Sequence, residues 1–442
     1  MAVPPPVPMH AELDDAGPQG EPQDELWHGL PRPVFSGGNQ VTLLRGGDML
    51  FPAMVQAIAA ARHEVWLATY IFHDDPAANA VAQALIDAAV RGVPVKVVLD
   101  GFGCMASLPR LMSLLVPAGV QLTVFRPLQR WWNWLQPGQL RRLHQKLCVV
   151  DGEVGFVGGI NMLDDRLDIN HGPTDEPRLD FAVQLRGPAV APVAQTIRAL
   201  WTRAKLGRDF KEEVAAIART AQPLARAKQL LRRLRMPRGR DLVIGGASLQ
   251  PMQVAFVLRD NFRQRRTIER SYIDAIRGAR TRVDLMSAYF YPGREFRRAL
   301  RHAAKRGVTV RLLLQGKLDY RLAGLAARAL YDELLGRGVR IFEYTPAFLH
   351  AKVALVDDDW ATVGSSNIDP LSLLLNLEAN VVVRDAGFNA ELSAQFDAAV
   401  AASTVIDPTQ RYRPGMSGAV RRGFVAWCAH VYLRLAGATG RY

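Results

Sequence analysis

The sequence predicts an α/β protein of two pseudo-symmetric repeats, each a mostly parallel mixed sheet flanked by helices. The first observation is that strand-like segments alternate with helical ones of about 10–15 residues, a pattern typical of helices packed on a mostly parallel sheet. The second is that this order of segments occurs twice along the 442 residues, each time with the same polar motif. A repeated order carrying a repeated motif indicates an internal duplication.

The segments of the two halves can be paired one by one. In the first half two helix-then-strand segments and a further strand read AIAAARHEVWLATYIF, ANAVAQALIDAAVRGVPVKVVLD and AGVQLTVF. In the second half the same order reads DAIRGARTRVDLMSAYF, REFRRALRHAAKRGVTVRLLLQG and GRGVRIFEY. The dipeptides Arg91-Gly92 and Arg306-Gly307 end equivalent helices. We therefore expect two copies of one α/β unit.

Composition divides the chain into five regions. They are a disordered segment rich in proline and acids (1–38), a first α/β unit (39–202), a basic amphipathic linker (203–245), a second α/β unit (246–405) and a basic tail (406–442). Residues 203–240 carry twelve Lys and Arg against three acids, with apolar residues at helical spacing. After Ile406 the chain has six Arg and one Asp.

The overall composition narrows the class of protein. A formal charge of +13 favours polyanionic partners, either nucleic acid or an anionic membrane surface. Three cysteines without a CxxC pair argue against a disulfide framework or a zinc site and suit a reducing compartment. The start of the chain lacks the features of a signal peptide, and no apolar run reaches the roughly 18 residues of a spanning helix. These features predict a cytoplasmic protein that touches membrane only peripherally.

The repeated motif carries the chemistry. The first copy reads HQKLCVVDGEVGFVGGIN and the second reads HAKVALVDDDWATVGSSN. Each copy has a histidine, a lysine, an aspartate and an asparagine, and equivalent positions lie 206 residues apart: His144, Lys146, Asp151 and Asn161, then His350, Lys352, Asp357 and Asn367. An isolated HxK is common, but this constellation at one spacing in both halves is highly specific.

Residue types and spacing point to phosphodiester chemistry. Residues two apart in a strand project from one face, so each histidine and its lysine reach one site together. One imidazole can attack phosphorus while the other, protonated, gives its proton to the departing alcohol. The lysines and asparagines can hold the non-bridging oxygens as negative charge builds. This scheme requires neither a metal nor a cofactor.

Four carboxylates complete the predicted site. Asp151 and Asp357 end the motif strands at a turn, where they can hold backbone or neighbouring side chains. A nucleophilic imidazole also needs a carboxylate on its other nitrogen. Each repeat offers one, Asp180 in RLDFAVQLRG and Glu378 in NLEANVVVRD, each inside a matching strand.

These motifs resemble the signature of the phospholipase D superfamily, HxKx4D followed by GGxN or GSxN. The resemblance covers about residues 41–408, and segments such as RPLQRWWNWL and FEYTPAFLHAKVALVDDDWATVGSSNIDPLSLLLNLEANVVV look like bacterial cardiolipin synthases, in particular the B type without N-terminal membrane helices. It implies two phospholipase D-like domains with the active site between them, His144 as nucleophile and His350 as general acid. The departures are GGIN against GSSN and an Asp rather than a Glu as the first orienting carboxylate.

The same resemblance implies a substrate and a place of action. The substrate would be phosphatidylglycerol at an anionic membrane surface, on the cytoplasmic face of the bacterial inner membrane. Neither nucleic acid nor an obligate protein partner is expected.

Other features are open to two interpretations. Trp131, Trp132 and Trp134, in an insertion before the first motif, suit either the headgroup level of a bilayer or a lid over the cleft. The basic linker suits membrane contact or a solvated helix. His171 suits ordinary packing or the acceptor site, and Asp74 and Asp75 suit a helix N-cap.

Three functions remain in competition at this point. The first is phosphatidyl transfer between two phosphatidylglycerol molecules, giving cardiolipin and glycerol. The second keeps the chemistry with another substrate, as a phospholipase D hydrolase, another phosphatidyltransferase or a nuclease. The third is a membrane-binding scaffold without activity, which the two intact motifs disfavour.

Overall fold

A computed structural model describes most of both repeats. The described residues are 32–127, 141–169, 171–218, 252–260, 264–317, 328, 330–369, 372–373 and 376–407, with backbone alone for 207–218. The predicted Trp-rich insertion, most of the linker and nearly all of the tail lie outside these residues.

The first repeat forms a seven-stranded sheet and a small two-stranded one. Its strands in chain order are β1 (Gln40–Arg45), β2 (Val65–Thr69), β3 (Val95–Asp100), β4 (Gln121–Phe125), β5 (Lys146–Val150), β6 (Val154–Gly158), β7 (Leu167–Asp168), β8 (Gly172–Pro173) and β9 (Phe181–Arg186). The large sheet has the order β1-β9-β6-β5-β2-β3-β4, and β7 pairs with β8. Its helices are α1 (Gly46–Ala59), α2 (Pro76–Val90), α3 (Leu108–Leu115) and α4 (Val190–Ala218).

The second repeat follows the same plan. Its strands are β10 (Gln253–Arg259), β11 (Arg282–Ser287), β12 (Thr309–Gln315), β13 (Arg340–Tyr344), β14 (Lys352–Val356), β15 (Trp360–Gly364), β16 (Glu378–Arg384) and β17 (Ser403–Val405). They form one sheet of order β10-β16-β15-β14-β11-β12-β13-β17. Its helices are α5 (Thr267–Gly278), α6 (Arg294–Lys305), α7 (Tyr331–Leu335) and α8 (Ala386–Ala401).

Both large sheets are mixed in the same way. The pairs β2-β3, β3-β4, β11-β12 and β12-β13 are parallel, and the motif strands β5 and β14 run antiparallel to β2 and β11. Five of the seven described strands of the first sheet therefore point one way, as do five of the eight in the second. The predicted fold class is confirmed.

The two sheets pack on each other and share one hydrophobic core. Strands β6 and β9 contact β15 and β16, and a single cluster of buried side chains includes Leu147, Val183, Val353 and Val381 from both halves. Separate cores lie between each sheet and its outer helices, α1 to α3 on one side and α5 to α7 on the other. Because both faces of β5 and β14 are covered, every residue of these strands is buried, as an apolar run predicts.

The ends of the repeats differ in detail from the predicted boundaries. Ser36, inside the segment predicted to be disordered, pairs with Val254 through backbone hydrogen bonds of 2.9 Å in both directions. This contact covers the free edge of β10, which otherwise has unpaired backbone groups. Helix α4 continues across residue 202, where the linker was predicted to begin. Among the described helices, none has the length and apolarity to cross a bilayer.

Candidate active site at the interface of the repeats

The two motif histidines lie where the repeats meet. Each precedes its strand by two residues, and short parallel bridges hold these segments across the interface, Leu143 with Leu377 and Leu179 with Leu349. The backbone N–H of His144 donates to Leu377 O at 3.0 Å. The N–H of His350 donates to Leu179 O at 2.9 Å. Each histidine is thus fixed by backbone from the opposite repeat.

The orienting carboxylates also cross the interface. His144 Nδ1 lies 3.0 Å from Glu378 Oε2, and His350 Nδ1 lies 2.6 Å from Asp180 Oδ2. Asp180 therefore contacts the histidine of the second motif and Glu378 that of the first, a pairing that the sequence left open. The reason is topological: Asp180 and Glu378 directly follow Leu179 and Leu377, whose bridges place them beside the opposite histidine.

The two lysines bring positive charge into a dry site. The ammonium groups of Lys146 and Lys352 each donate to the backbone oxygen of the histidine two residues before, the first at 2.8 Å. Burial lowers the pKa of Lys146 to about 7, with Lys352 adding to the effect. Burial lowers the pKa of Lys352 to about 8, against the opposing charges of Asp180 and Glu378. Charges that lower one another's pKa lie close together, so the four motif side chains form one site.

Burial also determines the charge of the two histidines. It lowers the pKa of His144, although Glu378 opposes the shift. It lowers the pKa of His350 well below its ordinary value, with further lowering by Lys352 and Arg178. Burial alone would raise the pKa of Glu378, but His144 and Lys146 hold it below its usual range. These shifts favour neutral imidazoles and an ionised Glu378, whose contact with Nδ1 leaves the Nε2 lone pair of His144 for bond formation.

The residue after the first motif glycine contacts or faces an orienting carboxylate in each repeat, and the motif asparagines are buried. Asn161 and Asn367 are buried, and within the described chain their Oδ1 atoms have no hydrogen-bond partner. A Cβ on Gly159 would lie 2.4 Å from Asp180 Oδ1, so the shorter carboxylate needs glycine there. At the equivalent position Ser365 donates to the longer Glu378 at 2.5 Å. The pairing of GG with Asp and GS with Glu therefore has a steric reason.

The motif aspartates do not reach the site, and their prediction as catalytic residues is corrected. Asp151 accepts from the backbone N–H groups of Arg62, His63 and Glu64 at 2.8–2.9 Å. Asp357 accepts in the same way from residues 280–282. Both follow the far ends of their strands, roughly 16 Å from the lysines at the usual rise per residue. They fix the loops that precede β2 and β11. Holding backbone at a turn is the other role that the sequence indicated for these aspartates.

Sequence reasoning missed two residues of the site. The ring of Tyr70 lies 5.0 Å from that of His144, and Lys146 Nζ lies 5.3 Å from its centroid. Arg178 is nearly buried and hydrogen-bonds Asp168 at 3.2 Å. Tyr70 lies in the ATYIF segment at the end of β2, the edge where the motif was expected, and this position could have indicated it.

The structure also describes the surroundings of Asp75 and His171, which the sequence had singled out. Asp75 caps α2 by accepting from Ala78 N at 3.0 Å, which confirms the N-cap prediction. His171 contacts Asp168 at 2.9 Å and packs on Phe348 at 5.3 Å between ring centroids, close to His350. The described residues contain no group of three or more His, Cys, Asp or Glu side chains arranged to hold a metal ion.

Comparison with known proteins is consistent with this geometry. A family described as "Cardiolipin synthase, PLD-like domain" matches residues 54–172 and 272–400. Cardiolipin synthase B of Escherichia coli K12 is 38% identical over 365 residues, covering 83% of this chain and 81% of that protein. Cardiolipin synthase A of Pseudomonas aeruginosa UCBPP-PA14 is 35% identical over 374 residues, covering 84% and 69%.

A solved structure supports the fold independently. The phosphatidylserine synthase of Haemophilus influenzae covers 93% of this chain and 98% of its own, with a TM-score of 0.62 and 13% identity. At that identity the likeness shows the fold alone. The family match in both repeats and the identity over most of the chain confirm the resemblance read from the motifs: the protein belongs to the cardiolipin synthase family of phospholipase D-like proteins.

Proposed function

We propose that the protein is a cardiolipin synthase, which transfers the phosphatidyl group of one phosphatidylglycerol to a second through a phosphohistidine. The observation that carries the proposal is the meeting of both histidine–lysine pairs at one interface, each histidine held by a carboxylate of the opposite repeat. The relatives that share most of this chain bear the same activity in their names.

In the proposed first step His144 attacks phosphorus. Its Nδ1–H is held by the ionised Glu378, so Nε2 carries the lone pair that forms the phosphorus–nitrogen bond. The phosphorus–oxygen bond to glycerol breaks, and the departing oxygen takes a proton from Nε2 of His350. His350 can hold this proton once the phosphodiester is bound. The anion, lying among Lys146, Lys352 and Arg178, offsets the positive charges that lower the pKa of His350.

The second step reverses the first with a new alcohol. His350, now neutral, accepts the proton from the primary hydroxyl of a second phosphatidylglycerol, whose oxygen bonds to phosphorus as the phosphorus–nitrogen bond breaks and its electron pair returns to His144. Lys146, Lys352 and the amides of Asn161 and Asn367 stabilise the charge on the non-bridging oxygens in both steps. One phosphodiester replaces another, so no nucleotide is consumed.

We also propose that the protein works at the cytoplasmic face of the bacterial inner membrane, bound peripherally. Two features support this place: the net charge of +13, which suits anionic lipid, and cysteines Cys104 and Cys148, which are buried and unpaired. The basic linker and tail, outside the described residues, are the segments we propose for lipid contact.

Labelled phosphatidylglycerol in vesicles tests the activity. Wild-type protein is expected to form cardiolipin and a phosphatidyl-enzyme that rapid denaturation without acid traps, because a phosphorus–nitrogen bond is labile to acid, and His144→Ala is expected to form neither. His302→Ala, an exposed histidine on α6, is the matched control and should keep full activity. Phosphatidic acid as the main product would identify a hydrolase instead, and cleavage of DNA without lipid turnover would identify a nuclease. Undiminished cardiolipin from His144→Ala would refute the mechanism.

A further inference from the structure

The active site is asymmetric beside its two histidines. Next to His350 lies a small cavity, lined among others by Asp168, Arg178, Ala288 and Gln315. Its lining includes a carboxylate, a guanidinium and an amide, which suit the hydroxyl groups of an alcohol rather than acyl chains.

The asymmetry arises from a single pair of equivalent positions, Tyr70 and Ala288. Each follows the last residue of a central strand, Thr69 or Ser287, whose hydroxyl donates to the backbone oxygen two residues on, at 3.0 and 2.7 Å. Beside His144 the phenol ring of Tyr70 occupies the space. Beside His350 the methyl group of Ala288 leaves it open.

A second pair of equivalent positions, Asp100 and Gln315, gives the cavity beside His350 a wall that can form hydrogen bonds. Asp100 and Gln315 end β3 and β12, and each accepts the N–H of the residue before its histidine at 2.9 Å. Asp100 also accepts from Phe102 N and Gly103 N, so both of its oxygens are used. Gln315 has an amide NH₂ for which the described residues provide no partner, and the side chain faces the cavity.

The opposite wall presents a carboxylate and a guanidinium. Asp168 Oδ2 and Leu167 O accept from Arg178 at 3.2 and 3.1 Å. Asp168 Oδ1 accepts from the N–H and Nδ1 of His171 at 3.0 and 2.9 Å. Donors and acceptors therefore surround the space beside His350, as recognition of a small polyhydroxyl group requires.

We propose that this cavity is the alcohol subsite, which holds the glycerol that leaves in the first step and the glycerol headgroup of the acceptor lipid in the second. The inference rests on the proposed function and names its acceptor site. The two alcohols carry the same chemical group and exchange protons with the same histidine, so microscopic reversibility assigns them one subsite. Since Nδ1 of His350 is bound to Asp180, its free nitrogen Nε2 is the one that serves this subsite.

Competition between two alcohols for one phosphatidyl-enzyme tests the subsite. Purified full-length protein acts on phosphatidylglycerol vesicles with equal concentrations of isotope-labelled glycerol and methanol, and mass spectrometry gives the ratio of labelled phosphatidylglycerol to phosphatidylmethanol. Both products come from one intermediate, so slow formation of that intermediate or partial loss of folded protein does not change the ratio.

Two variants and one control decide the outcome. Ala288→Tyr, which places on this side the ring found beside His144, is expected to lower the glycerol-to-methanol ratio about tenfold or more. Gln315→Glu keeps the acceptor for Leu349 N but loses the N–H donor, and it should lower the ratio in the same direction. Gln121→Glu makes the second change at an exposed position at the start of β4, and as the matched control it should leave the ratio close to wild type.

The failure of the subsite can be told from the failure of the function. An unchanged ratio in both Ala288→Tyr and Gln315→Glu, while wild type makes cardiolipin, overturns the subsite alone. Wild type that transfers phosphatidyl groups to no alcohol overturns the proposed function and the subsite with it. If Ala288→Tyr does not fold, Gln315→Glu decides the question, because the first repeat already tolerates a carboxylate at this position.

Discussion

Replacing Glu378 by Gln removes one charge from the buried contact to His144 and keeps the shape of the side chain. Ser365 and His144 both contact Oε2, so an amide oxygen at this place keeps both hydrogen bonds, and we expect the fold to be retained. In the flipped orientation the NH₂ would instead donate to Nδ1, which favours the imidazole tautomer with its proton on Nε2, where the lone pair is needed. Positive charge develops on this imidazole as the phosphorus–nitrogen bond forms, and the carboxylate stabilises that charge.

The size of the effect follows from the geometry. The Nδ1 and Oε2 atoms lie 3.0 Å apart, which puts the charge centres at about 4 Å, and both side chains are largely buried. Two unit charges at about 4 Å interact by about 4 kcal/mol at an effective dielectric constant of about 20. A loss of this size corresponds to a rate lower by about 10³.

Rapid quench of vesicle reactions with denaturant at neutral pH measures the rate of phosphatidyl-enzyme formation directly. Glu333→Gln is the matched control, because it makes the same chemical change in a surface ion pair with Arg301 on the outer helices. Thermal unfolding of each variant confirms that the comparison is between folded proteins. If Glu378→Gln formed the intermediate within about tenfold of the wild-type rate, the reasoning from the crossed contact would be wrong.

Three further predictions concern the motif aspartate, the glycine and the lysines. Asp357→Asn is expected to lower the free energy of unfolding by about 1–2 kcal/mol with unchanged kcat/KM per folded molecule, since the side chain holds a distant loop; a large loss of kcat/KM in folded protein would contradict this. Gly159→Ala is expected to lower kcat, because its Cβ would lie 2.4 Å from the carboxylate that holds the second histidine, whereas Gly155→Ala meets neighbours at 3.6 Å and serves as control. The ammonium groups of Lys146 and Lys352, with pKa values of about 7 and about 8, are charged below these values, so kcat/KM should fall as the pH rises through this range. A pH profile that stayed flat up to the ordinary range of lysine would refute the last prediction.

Much of the fold and the reacting groups could be read from the sequence, because the signals are local. The alternation of strands and helices follows from hydrophobic periodicity within each segment, and the motif repeats at a constant spacing of 206 residues. The pair His144 and Lys146, like its counterpart, needs only the two-residue period of extended chain to share a site. The sequence shows that the motif with GG occurs with Asp180 and the motif with GS occurs with Glu378. The steric reason for this pairing needed the coordinates.

The tertiary structure alone decided which carboxylate holds which histidine, since the partners lie 234 and 170 residues apart and in opposite repeats. The same is true of the depressed lysine pKa values, which follow from burial between two sheets, and of the open cavity, which depends on Tyr70 and Ala288 reaching equivalent places. The motif aspartates illustrate the reverse case: they belong to the signature in sequence, yet the length of a strand keeps them away from the reaction. Periodicity along the chain determines which face a side chain takes, but contact across an interface depends on how two separately folded sheets meet.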